Sequence, residues 1–143
     1  MQRLLLLISI ACLTTLYIPS VLAQNAFPAK DGEKCRYSVQ IDFGKAYISG
    51  VGIFVFANNR ITGSIFNEFG VSALSFSYNP EKEKVKILSV AGKLNRWYIK
   101  YVIRKDLKKV IKVLQEGGTS YKNQKRNITY TFTPLAIQDE TAE

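Results

Sequence analysis

The amino-acid sequence predicts an α+β fold: a curved antiparallel sheet of about six strands covered by one long amphipathic helix. Three observations carry this prediction. Between Cys35 and Val90, apolar and polar residues alternate with period two, the mark of strands with one face in a core. From Asn95 to Gln115 the apolar residues recur at helical spacing instead. From Asn127 to Phe132 the alternation returns.

Each element has its own signal. Tyr37, Val39, Ile41 and Phe43 face one way, and Ser38, Gln40 and Asp42 the other. Gly44-Lys45 supplies a tight turn into a longer strand, Tyr47 to Ala57. Gly50 and Gly52 share the face of Ile48, Phe54 and Phe56, and glycines inside a strand mark a bulge, a bend or a close approach. Asn58-Asn59 forms a short hairpin turn, because asparagine tolerates positive φ. Arg60 to Phe66 is the returning strand. Asn67-Glu68-Phe69-Gly70 turns the chain into Ser72 to Tyr78, which carries Leu74, Phe76 and Tyr78 on one side. Asn79-Pro80-Glu81-Lys82 turns it again into Lys84 to Val90. Five strands joined by short turns make an antiparallel meander. In the helix, Ile99, Ile103, Leu107, Val110 and Leu114 form the apolar stripe, reinforced by Val102 and Ile111. Asn95 is placed to cap its start, and Gly117-Gly118 to end it. Residues Lys122 to Arg126 read as a polar turn before the last strand.

The first 23 residues read as a secretory signal peptide. Arg3 gives a basic start, Leu4 to Leu13 an apolar run, Pro19 a helix break, and Val21-Leu22-Ala23 a cleavage site before Gln24. The protein is therefore expected in the periplasm or secreted. Two alternatives remain: an uncleaved membrane helix from Leu4 to Ala23, and a lipid anchor at Cys12, because Ser9-Ile10-Ala11-Cys12 loosely resembles a lipobox. Residues 24–34 read as a flexible N-terminal arm, 35–136 as a single domain, and 137–143 as an acidic disordered tail.

Composition narrows the chemistry. The formal charge is +9, and removal of the leader takes only Arg3 with it. Such charge outside the cytosol favours acidic partners. There is no histidine, so the usual general base, zinc ligand and triads are absent. After cleavage Cys35 is alone, which excludes an intramolecular disulfide. Glu68 sits alone in its turn, and a two-carboxylate mechanism would need Asp42 or Asp106 beside it in space. No cofactor is expected, and the protein reads as no enzyme.

Two features carry binding. The polar side of the helix presents Lys100, Arg104, Lys105, Lys108, Lys109 and Lys112, which suits an anionic membrane surface or plain solvation of a helix packed on a sheet. The sheet presents Phe54, Phe56, Leu74 and Phe76, which line an apolar cavity if the sheet curls and the helix plugs only part of it. Trp97, Tyr98 and Tyr101 beside Arg96, Lys100 and Arg104 offer stacking and charge for nucleic acid, but the export signal argues against that partner.

The succession Gly63-Ser64-Ile65, Asn67-Glu68-Phe69-Gly70, Leu74-Ser75-Phe76-Ser77-Tyr78 and Leu94-Asn95, leading to Asp106-Leu107, resembles the LolA/LolB-like lipoprotein-carrier superfamily. Its small exported members are the nearest in pattern, and the ending Val21-Leu22-Ala23-Gln24 resembles signal peptides common in the Bacteroidota. The resemblance implies an incomplete β-barrel with helices over its open side and a hydrophobic cavity between. It also implies carriage of acyl chains between membranes. The expected function is a non-enzymatic carrier or binder of a lipid or acylated protein in the cell envelope. Phe54, Phe56, Leu74, Phe76, Ile103 and Leu107 are the expected ligand-binding residues, and Lys100, Arg104, Lys108 and Lys112 the expected membrane-surface residues. The alternative is a cell-envelope protein-interaction module with a filled core and no ligand.

Overall fold

The computed structural model describes residues 27–136. The leader with its cleavage site at Ala23-Gln24, the alternative anchor at Cys12 and the acidic tail lie outside the described residues. No helix among the described residues is long and apolar enough to cross a membrane.

Seven strands form one antiparallel sheet: β1 (Lys34–Asp42), β2 (Tyr47–Ala57), β3 (Arg60–Phe66), β4 (Ser72–Asn79), β5 (Lys84–Val90), β6 (Ser120–Asn123) and β7 (Ile128–Leu135). Their order is β5-β4-β3-β2-β1-β7-β6. The meander is therefore extended past β1 by the C-terminal hairpin. The sheet curls into a half-barrel, and helix α1 (Trp97–Gln115) packs against both edge strands, β5 and β6. A helix across the gap buries the inner face, which a lone curved sheet would leave wet.

The register explains the core. Cys35 pairs with Phe54, Tyr37 with Gly52, Ile65 with Leu74, Phe76 with Ile87 and Tyr78 with Val85. All but the partly buried Ile87 belong to the buried inner face, which meets Ile103, Leu107, Val110, Ile111 and Leu114 of α1. Each large apolar side chain buried this way stabilises the fold by roughly 1.5–3 kcal/mol. Two register shifts bend the sheet, between Ile65 and Phe66 and between Ser75 and Phe76. Leu88, skipped at the second, turns outward and is 52% exposed.

The strand glycines mark close approaches. A Cβ at Gly63 would fall into the ring of Phe76, and one at Gly50 would overlap the carbonyl of Phe66. Asn58 and Asn59 both take positive φ, 54° and 60°, as the β2–β3 turn requires. Helix α1 ends in a Schellman arrangement: the Gly118 N–H donates to the Val113 carbonyl (2.8 Å), and the Gly117 N–H to that of Leu114 (3.1 Å).

Three details differ from expectation. Asn95 does not cap the helix; it closes the short 3₁₀ turn Gly92–Leu94, and Arg96 stands at the N-cap without a side-chain bond. Strand β6 occupies the start of the stretch read as a polar turn. It has only Tyr121 as an apolar residue, so its strand character comes from pairing with β7. The residues before β1 join the fold: Phe27 and Pro28 are buried, and the Gly32 N–H donates to the Phe56 carbonyl at 2.8 Å.

Candidate functional site

The six residues expected to line a cavity occupy the packed interior. Phe54, Leu74, Phe76, Ile103 and Leu107 are buried, and Phe56 is partly buried at its margin. Phe54 is the hub. Its ring centre lies 5.3 Å from that of Phe27, 5.5 Å from Tyr37, 5.8 Å from Phe76 and 6.1 Å from Phe132. Rings at these spacings are in contact, so the space around Phe54 is occupied by side chains. Gly63 is what admits the Phe76 ring into this cluster.

A groove lies instead at the end of the half-barrel where α1 begins. Phe43, Ala46, Leu94, Tyr98, Ile99, Val102, Ile103 and Ile128 give it an apolar lining, with Lys93 and Arg126 also on its wall. Its volume is about 390 Å³. That falls within the range of small-molecule sites, roughly 300–1,000 Å³. The β1–β2 turn, the 3₁₀ turn, the first turns of α1 and the start of β7 build it. Only Ile103 of the six expected residues reaches it. The ring of Trp97 stands 5.9 Å from that of the groove residue Tyr98 and is 81% exposed, bordering the neighbouring hollow between α1 and β5.

The expected membrane-surface residues divide into two pairs. Lys100 and Arg104 border a hollow between α1 and the edge strand β5, together with Trp97, Tyr101 and Ile87. Lys108 and Lys112 lie by Glu83, at 3.9 and 3.5 Å. Exposed pairs of this kind contribute about 0–1 kcal/mol, but they offset part of the positive field at that end of the helix.

Asp106, among the lysines in sequence, points inward and is 2% exposed. The Tyr130 hydroxyl donates to its Oδ2 at 2.7 Å, and the Asn123 amide donates to both oxygens at 2.9 and 3.1 Å. The Asn123 Oδ1 in turn accepts from the Arg126 N–H at 3.2 Å. A buried carboxylate thus fixes the β6–β7 turn against the helix. Burial pushes the Tyr130 phenol well above its usual range, and the hydrogen bond to Asp106 adds to the rise. Glu68 is exposed on the β3–β4 turn, and Asp42 accepts from the Gly44 N–H at 2.7 Å. Among the described residues no three His, Cys, Asp or Glu side chains gather as a metal site would require.

Above Asp106 a second hollow, about 220 Å³, is bordered by Tyr101, Val102, Lys105, Lys109, Asn123, Lys125 and Arg126. Lys105 stands 4.5 Å from the centre of the Tyr101 ring, and Lys109 5.9 Å from that of Tyr121. Hydrogen bonding to Lys105, and then its charge, pull the Tyr101 phenol below its ordinary value, with Arg104 and Arg126 adding to the effect. The sequence offered a faint signal for this place. Lys125 and Arg126 follow the helix lysines after one short strand, but nothing local says that the turn folds back on the helix.

Cys35 is buried, and desolvation pushes its thiol up to about 12, with a hydrogen bond to Tyr37 acting the other way. It is therefore neither a nucleophile nor a free surface thiol. Site-resolved maleimide labelling should leave Cys35 unmodified in the native protein and modify it in denaturant. The unfolded thiol ionises near 9.0 and the folded one near 12, so the unfolded chain loses its proton first. Stability from this group is complete below about pH 9 and declines toward pH 12. Burial raises Tyr37 and Tyr130 as well, which steepens the decline. Denaturation midpoints measured across that window should fall, and those of Cys35→Ala should fall less.

No protein family, curated protein or solved structure gives a significant match to this chain.

Proposed function

We propose that the protein is an exported, non-enzymatic carrier or binder of a lipid or acylated protein in the cell envelope. In this reading the acyl chain lies in the groove at the end of the half-barrel and not in its interior. The carrying observation is the apolar groove formed by Phe43, Leu94, Ile99, Val102 and Ile128, about 390 Å³ in volume. A half-barrel spanned by a helix also supports kinship with LolA/LolB-like carriers, whose open side is covered in the same manner. Lys100 and Arg104 would hold this end near anionic headgroups, while Lys108 and Lys112 are partly engaged by Glu83.

Uptake of a fluorescent fatty acid by the purified protein tests the reading. Ile99→Asp places a charge in the groove at a side chain that is only partly buried, at the edge of the core, and a far-UV and thermal-melt comparison with the wild type shows whether the fold is retained. Its affinity for the probe should drop at least about tenfold, the scale of desolvating a charge against apolar walls. Equal binding by the variant would place the ligand elsewhere. The second reading, an interaction module without a ligand, draws on the filled interior around Phe54. It is favoured if the wild type takes up no probe and crosslinking recovers a protein partner.

A further inference from the structure

We infer that the hollow above Asp106 is a phosphate-binding subsite, and that with the adjoining groove it forms one bipartite site for an acyl chain bearing a phosphate headgroup. The inference rests on the proposed binding of acyl chains and names their class.

Two observations join the hollows. Val102 and Arg126 line both, so the apolar groove and the cationic pocket share a wall. Their linings differ in charge: Phe43, Leu94, Ile99 and Ile128 dominate one, with Lys93 and Arg126 at its wall, whereas Lys105, Lys109, Lys125 and Arg126 border the other. An amphiphile lying across Val102 would meet apolar walls with its chain and ammonium groups with its head. Among the described residues none of Lys105, Lys109, Lys125 or Arg126 has a salt-bridge partner, in contrast to Lys108 and Lys112. The one carboxylate in the pocket wall, Asp106, has both oxygens engaged by Asn123 and Tyr130. That bonding leaves the cations to face the hollow, and through Asn123 it sets the turn that carries Lys125 and Arg126. Lys105 and Lys109 rest on the faces of Tyr101 and Tyr121, which limits their rotamers before a ligand arrives. A phosphate monoester, with three acceptor oxygens and close to two charges, suits several such donors better than a carboxylate does.

Binding of three probes to the full chain tests this: a short-chain lysophosphatidic acid, the monoacylglycerol with the same chain, and glycerol 3-phosphate. The lysophosphatidic acid should bind at least about tenfold tighter than the monoacylglycerol, the effect of a single charge-assisted hydrogen bond or more. Its affinity should fall with added salt while that of the monoacylglycerol holds. The double variant Lys105→Gln/Lys125→Gln alters the pocket without touching the groove lining, and should erase most of the difference. Equal binding of the two lipids would overturn the phosphate subsite and leave the acyl-binding reading standing. Binding of glycerol 3-phosphate as tight as that of lysophosphatidic acid would overturn the bipartite site, because the chain would then add nothing. If none of the three binds, both the subsite and the acyl-binding reading fall.

Discussion

Phe54→Ala should lower the unfolding free energy by about 3–5 kcal/mol, measured by urea denaturation. The magnitude discriminates between two pictures of the interior. Were Phe54 to line an empty cavity, truncation would forfeit little beyond the transfer of one side chain, about 1.5–3 kcal/mol. In the packed interior it also leaves a void among Phe27, Tyr37, Phe76 and Phe132, whose ring centres all lie within 6.1 Å of that of Phe54. A measured loss near the lower figure would argue for a hollow interior and return Phe54 to the list of candidate ligand contacts. The same variant should loosen the stretch before β1, because Phe27 packs on Phe54. Hydrogen exchange at Gly32 and Phe56, whose amides bond to the Phe56 and Glu33 carbonyls, should accelerate most.

Asp106→Ala should cost about 3 kcal/mol, since it strands the buried Tyr130 hydroxyl and removes a hydrogen bond to a charged group. Tyr130→Phe should cost less, about 1.5–2 kcal/mol, because Asn123 continues to donate to the carboxylate. The double variant Asp106→Ala/Tyr130→Phe should cost less than the sum of the two, as both polar partners leave together. Strict additivity in that cycle would show that the two groups do not act on each other. The consequence reaches beyond stability. Asn123 links Asp106 to the Arg126 amide, so losing the carboxylate should also loosen the turn that borders both hollows.

The local rules of the chain were legible in the sequence. Period two, period 3.6 and turn chemistry depend on neighbours within a few residues. The five-strand meander, the Asn58-Asn59 turn, the helix and its glycine stop all appear where those rules put them. Strand β6 was not legible, because four residues with a single apolar side chain become a strand only when β7 supplies the hydrogen bonds. The candidate site was less legible than the fold. Apolar side chains on a strand face look alike in sequence whether they line a cavity or fill it, and here the difference is whether Phe27, Phe76 and Phe132 close around Phe54. Likewise Asp106 stands in a basic run but faces the core, because its helical phase sets it beside Leu107 and Val110. The sequence by itself determined the five meander strands, the last strand, the helix and the basic surface, since those properties are local or additive. Only the tertiary structure decided that the interior is packed, that the groove lies at the end of the half-barrel, and that Lys125 and Arg126 join the helix lysines. Those outcomes depend on contacts between residues far apart in the chain, which no local pattern encodes.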